Sequence, residues 1–126
     1  MIPREARPIA WLGSTLTDVR SYSESVRQQV GTALREAQQG GKHQRAKPLK
    51  GFGNASVLEI VADDADGTYR VVYTVKFRDR LFVLHAFTKK STHGSATPDH
   101  EIAIVRARLT LAAEIVRTTN DTGGQT

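Results

Sequence analysis

The 126-residue sequence contains no cysteine, which excludes disulfide bonds and cysteine-ligated metal sites. It also lacks an apolar run near the ~18 residues that a membrane-spanning helix needs. Met1–Thr15 carries no apolar stretch typical of a signal peptide. We therefore expect one domain over residues 1–126, cytoplasmic and with no membrane partner, with a core over about 9–117 and a flexible polar tail over 118–126.

Acidic residues are fewer than basic ones, 13 against 18, which gives a net charge of +5. The excess lies in the middle of the chain: residues 40–92 carry ten basic and five acidic side chains, whereas both flanking segments are nearly balanced. A basic sector on a small domain is typical of a polyanion partner, although a basic surface that serves solubility explains the charge as well.

The first half of the chain favours a strand followed by helix. A short apolar run at residues 9–12 predicts the strand. Apolar residues spaced by three and four then predict a broken helix or helical hairpin over 16–39, with the capping-box pattern Ser21–Glu24 inside it. Gly40 ends this helical region. The basic segment Lys42–Gly53, with one proline and two glycines, predicts a connector that is not a regular helix and that contains a turn.

Three β-rich runs follow in quick succession, at Ser56–Ala62, Thr68–Phe77 and Leu81–Thr88. Short turns separate them, so they predict an antiparallel three-stranded meander. Thr97-Pro98-Asp99 has the cap, proline and acidic residue that begin a helix. The sequence thus predicts an α+β domain that closes on a C-terminal helix.

Several local phrases, in this order, resemble the HigB-like, phage-derived branch of the RelE/ParE toxin superfamily of type II toxin–antitoxin systems. These phrases are Leu34–Gly40, Lys47–Gly53, Leu58–Ile60, Tyr69–Tyr73, Leu84–Ser91 and Thr97-Pro98. The resemblance implies a RelE-like fold with helices packed on one face of a twisted, mainly antiparallel sheet. The other face is then basic and receives RNA.

The same resemblance implies a toxin that acts as an mRNA interferase. This would be a metal-independent endoribonuclease without cofactors that acts on mRNA in the ribosomal A site. A cognate antitoxin, HigA-like and carrying a helix-turn-helix domain, would neutralise it. Two alternatives stay open: a ParE-like inhibitor that binds DNA gyrase without cutting nucleic acid, and an inactive relative that only binds RNA.

The basic residues Arg70, Lys89 and Lys90 are candidate catalytic groups. Arg70 lies inside an apolar strand, and a guanidinium can hold two phosphate oxygens of a phosphorane; the alternative is a solvent-facing edge arginine. Lys90 aligns with a second catalytic basic residue of the family, and Lys89 is expected to hold a phosphate, unless both are a charged strand end that limits aggregation. Glu59 is expected to form an ion pair with Arg70, or to act as a base.

Two histidines, His85 and His93, are candidates for acid–base chemistry because histidine titrates near neutrality. His85 shares strand parity with Val83 and Phe87, which equally fits a structural, hydrogen-bonded role. His93 lies in a loop where the family more commonly has a lysine at the position of Ala96. It therefore either takes that role or is a solvated loop residue.

RNA contact is expected from Lys47, Lys50 and Phe87. The two lysines flank Pro48 in the basic connector and suit phosphate binding, with a solvated loop as the alternative. Phe87 suits stacking on a base, although aromatic residues in strands are usually core. No residues with metal-ligand spacing occur, so no metal is expected.

Overall fold

The structure, a computed structural model, describes residues 6–53, 56–89 and 96–123, with side chains up to residue 119. Eight elements follow one another in these ranges: β1 (Ile9–Trp11), α1 (Thr15–Arg20), α2 (Glu24–Gln38), β2 (Ala46–Pro48), β3 (Val57–Asp64), β4 (Gly67–Thr74), β5 (Leu81–Lys89) and α3 (Asp99–Gly123). The strands form one sheet in the order β1-β5-β4-β3-β2. No helix in the described ranges is long and apolar enough to span a membrane.

The predicted meander is confirmed as β3-β4-β5, but the sheet has five strands rather than three. β1 extends it by pairing in parallel with β5, and β2 extends it by pairing antiparallel with β3. The basic connector forms no helix, as expected, but it contains β2, which was not predicted. Only Ala46 of this strand is buried, and Pro48, which lacks an N–H group, is tolerated because β2 is an edge strand.

One face of the sheet packs against α2, which we call the α2 face. The helix buries an apolar stripe there: Val26, Val30, Ala33, Leu34 and Ala37. The sheet contributes Leu58, Ile60, Ala62, Val71, Tyr73, Leu81 and Val83. The predicted break in the helical region is confirmed, but the cap is Ser23 rather than Ser21, because the Ser23 hydroxyl accepts the Val26 N–H at 3.2 Å.

The opposite face of the sheet packs against α3, and we call it the α3 face. The expectation that all helices share one face is therefore wrong. The physical reason is the apolar stripe of α3, which needs a surface of its own to cover it. That stripe is Ile102, Val105, Leu109, Ala112, Ile115 and Val116. The helix continues to Gly123, into the segment 118–126 that was predicted to be a tail.

A β-bulge in β5 changes which residues share a face. Val72 pairs with His85, and the next residue, Tyr73, pairs with Val83, so β5 carries one extra residue there. The bulge places Val83 on the α2 face and His85 on the α3 face. The predicted shared parity of these two residues is therefore wrong, while Phe87 does lie on the same face as His85.

Candidate active site

A cleft of about 800 Å³ opens on the α3 face, between the segment around β2 and the beginning of α3. β3 and β4 contribute its floor. Five cationic side chains line it: Arg45, Lys47, Lys50, Arg70 and Arg106. Two acidic residues, Glu59 and Asp99, line it as well. The cleft is therefore positively charged in balance and suits an anionic ligand.

The floor of the cleft holds a buried ion pair between Arg70 of β4 and Glu59 of β3. In the register, Glu59 lies opposite Val72 and Arg70 opposite Val61, so the two charged side chains are diagonal neighbours on one face. Arg70 Nη1 donates to Glu59 Oε1 at 2.8 Å, and each residue is 7% exposed. Strand pairing alone thus brings a carboxylate and a guanidinium together.

The other oxygen of the same carboxylate is held from the beginning of α3. The Thr97 hydroxyl donates to Glu59 Oε2 at 2.7 Å. Arg70, Glu59 and Thr97 form a chain of polar contacts that runs from two strands to the segment before a helix. This network fixes the carboxylate on both oxygens, which is the kind of preorganisation that a reactive group needs.

A family model described as phage derived protein Gp49-like (DUF891) matches residues 17–110. The chain belongs to this Gp49-like family. It is a family of RelE/HigB-type toxins, whose members often act as endoribonucleases and have a cognate antitoxin. The match spans the whole cleft described above. No curated protein sequence and no solved structure matches the chain.

Of the predicted RNA contacts in this Gp49-like chain, Lys47 and Lys50 line the cleft and have exposed side chains. Lys47 lies directly opposite Glu59 in the β2–β3 register, so strand pairing directs it to the same face. Phe87 lies opposite Arg70 in the β4–β5 register. Its ring is half-buried and stacks on His85, with a centroid distance of 5.3 Å.

His85 sits beneath α3 and is not among the residues that line the cleft. Its Nε2 lies 3.0 Å from Glu101 Oε1, and its Nδ1 lies 3.5 Å from Arg108 Nη1. Because an arginine only donates, these contacts fit the neutral tautomer in which Nε2 carries the proton and Nδ1 accepts. Arg108 also donates to the Leu84 carbonyl at 2.9 Å. The cluster joins α3 to the bulged part of β5.

The three remaining candidates belong to the end of β5 and the loop after it. Lys89 is half-exposed, and its Nζ donates to the Ala96 carbonyl at 2.7 Å, so it ties the strand end to the segment that precedes α3. Lys90 and His93 lie outside the described residues. Within the ranges that are described, no group of three or more His, Cys, Asp or Glu side chains is placed to hold a metal ion.

The cleft also contains residues that sequence reasoning missed. Thr97 and Asp99 were noted only as residues that begin a helix and, for Thr97, as part of a family-like phrase, whereas Arg45 and Arg106 were not singled out. Arg106 lies in the middle of an amphipathic helix, where an exposed arginine gives no signal of its own. Its contact to the Gly51 carbonyl, at 2.7 Å, joins residues far apart in the sequence.

Proposed function

We propose that this Gp49-like chain is the toxin of a type II toxin–antitoxin pair and that it cleaves mRNA. The observation that carries the proposal is the Glu59–Arg70 pair on the floor of a cationic cleft. Cleavage of RNA without a metal needs a base for the 2′-hydroxyl and a cation for the phosphorane. The pair supplies one residue of each kind, and Lys47 and Lys50 supply charge for the neighbouring phosphates.

The reaction is an internal transfer within the RNA strand. The 2′-oxygen attacks the adjacent phosphorus and gives its proton to the Glu59 carboxylate, while the bond from phosphorus to the 5′-oxygen breaks. An entering phosphate binds the Arg70 guanidinium as well, while each Glu59 oxygen keeps a second lone pair that accepts the proton. The departing 5′-oxygen takes up a proton, and the other product ends in a 2′,3′-cyclic phosphate.

The acid that protonates the 5′-oxygen is assigned to the end of β5 and the loop after it. Lys89, Lys90 and His93 are the candidates, because this segment joins β5 to the Thr97 that contacts Glu59. The substrate is mRNA in the ribosomal A site, which presents a single strand to the cleft. A HigA-like antitoxin with a helix-turn-helix domain is the partner that blocks the reaction.

The test is to induce the chain alone in bacterial cells and to map the 5′ ends of transcripts. We expect growth arrest, new 5′ ends within coding regions, and upstream fragments that carry a 2′,3′-cyclic or 3′-phosphate. Co-expression of the adjacent small gene should restore growth. Unchanged growth and transcripts at good soluble expression would overturn the proposal, and arrest with intact mRNA and inhibited gyrase would favour the ParE-like alternative.

A further inference from the structure

One wall of the cleft is built by a contact between Arg106 of α3 and the turn that follows β2. The Arg106 guanidinium lies over the Phe52 ring, with Cζ 4.7 Å from the ring centroid. Its Nη2 donates to the Gly51 carbonyl at 2.7 Å. Gly51 has a φ of +100°, and a Cβ there would stand 3.1 Å from Nη2, so a glycine allows this close approach. The guanidinium is thus fixed by a ring and by a carbonyl.

A fixed guanidinium at this place has more than a structural use. Arg106 is an exposed residue, and it lines the same cleft as Arg70 and Lys50. The guanidinium group is planar and weakly hydrated, so it stacks on flat aromatic systems. A nucleobase is such a system, like the Phe52 ring on which Arg106 already lies. Proteins that hold single-stranded RNA use aromatic rings and arginine planes in this way, because every base offers a flat face.

We propose that Arg106, backed by Phe52, forms a nucleobase subsite of the cleft. It takes the base of a nucleotide in the strand whose scissile phosphate lies at Arg70. The inference rests on the proposed function in one respect, that the ligand is RNA. It adds a contact that recognises a base, whereas Lys47 and Lys50 recognise the backbone. Because every base can stack, the subsite binds a nucleotide that carries a base more tightly than an abasic one. It binds purines more tightly than pyrimidines because purines offer a larger surface.

The experiment measures binding rather than cleavage, so it does not depend on the chemistry. Fluorescence anisotropy of labelled hexanucleotides of 2′-O-methyl RNA gives the affinity of the full chain, and these strands cannot be cut because they lack the 2′-hydroxyl. One strand carries adenine bases, and the matched strand has the same backbone without the bases. We expect the parent to prefer the adenine strand by roughly fivefold to a hundredfold, as one stacked base contributes.

Four variants and one control variant separate stacking from charge. Arg106→Ala and Phe52→Leu should each reduce the preference for the adenine strand at least threefold, with a smaller effect on the abasic strand. Arg106→Lys keeps the charge and should still lose the preference. Lys47→Ala should weaken the binding of both strands equally, because it removes a phosphate contact. Arg27→Ala, an exposed cation on α2, is the matched control and should change neither affinity.

Equal binding of both strands by the parent would overturn the inference, and so would an Arg106→Ala variant that weakens both strands equally. The latter result would assign Arg106 to phosphate contact or to holding the turn, which thermal melting of the variant would tell apart. Failure of this inference alone would leave transcript cleavage in cells intact. Failure of the proposed function would show as no cleavage in cells together with no binding of either strand.

Discussion

The two faces of the sheet are covered by helices in different ways. The α2 face is built mainly from apolar side chains, and Val30, Leu34 and Ile60 are all nearly or fully buried there. The α3 face is apolar at one end only, and it also buries Glu59, Arg70 and His85. Burying charged groups costs free energy unless each one has a good partner. The comparison teaches that one face is built for stability, and that under the proposed function the other face accepts a cost in stability in order to hold the groups that act on RNA.

Among the variants that test this difference between the faces, Arg70→Ala should have the largest effect on cleavage and on stability. Removing one cation from a transition-state site lowers the cleavage rate by roughly 10² to 10³. The substitution also leaves the Glu59 carboxylate buried without its cation, which destabilises by about 3–5 kcal/mol. Arg70→Lys should rescue cleavage poorly, because a point charge does not hold two phosphate oxygens. The measurements are single-turnover cleavage and denaturant unfolding.

The double variant Glu59→Gln/Arg70→Gln is the control that separates chemistry from stability. It removes both charges, so it should recover most of the lost free energy of unfolding while remaining inactive. A folded Arg70→Ala protein that cleaves at the parental rate would remove Arg70 from the mechanism.

Leu34→Ala tests the α2 face. Emptying this buried position should lower the free energy of unfolding by about 2–5 kcal/mol, through lost burial and the cavity that remains. The matched control is Leu111→Ala, because Leu111 is 47% exposed and its truncation should change stability by only about 0.5 kcal/mol or less. At a temperature where Leu34→Ala is fully folded, its cleavage rate should equal that of the parent. A large loss of rate in the folded protein would contradict the division between the faces.

His85→Gln tests whether His85, on the α3 face, has a structural or a chemical role. The substitution disturbs the contacts to Glu101 and Arg108, so we expect a loss of about 1–3 kcal/mol in unfolding free energy. If His85 only holds α3 on the sheet, cleavage by the folded variant stays near the parental rate. A general acid or base typically increases the reaction rate by a factor of roughly 10² or more. A loss of that size in the folded variant would place His85 in the chemistry instead.

Ser23→Ala should give the smallest effect, at the edge of the α2 face. Ser23 caps α2 and also donates to Asp64 Oδ2 at 2.7 Å, so the substitution should cost about 1 kcal/mol. The Ser23 hydrogen bond is the main cause that lowers the pKa of Asp64 in the folded state. That contribution is present above the ordinary carboxyl pKa, about 3.9, and is lost as pH falls through the folded value. The difference between parent and variant should therefore shrink below about pH 4, whereas a pH-independent difference would assign the whole effect to the cap.

The sequence predicted the parts of the fold that depend on local periodicity. The meander and the break before α2 followed from apolar spacing, and the Glu59–Arg70 ion pair was expected because each residue is a charge inside an otherwise apolar strand. β2 could not be predicted, because three residues become a strand only by pairing with β3. No pattern in the sequence predicts the bulge in β5. The face of the sheet on which His85 lies was therefore predicted wrongly.

The face chosen by α3 depends on tertiary packing, and so do the contacts that α3 and the segment before it bring to the cleft. Thr97 reaches Glu59 and Arg106 reaches Gly51 across long stretches of chain. An amphipathic helix predicts that it will cover an apolar surface, but it does not say which one. The polar positions of that helix acquire a role only when the surface is known.

The parallel pairing of β1 with β5 has a consequence for the order of folding. Ile9 pairs with Leu81, so the first strand cannot find its partner until nearly the whole meander has been synthesised. Closing so long a loop is entropically costly and tends to slow folding. Thr97 and Arg106 lie later still in the sequence, so a nascent chain that does not yet include them lacks one wall of the cleft. The cleft is therefore completed only after both β5 and the beginning of α3 have been synthesised.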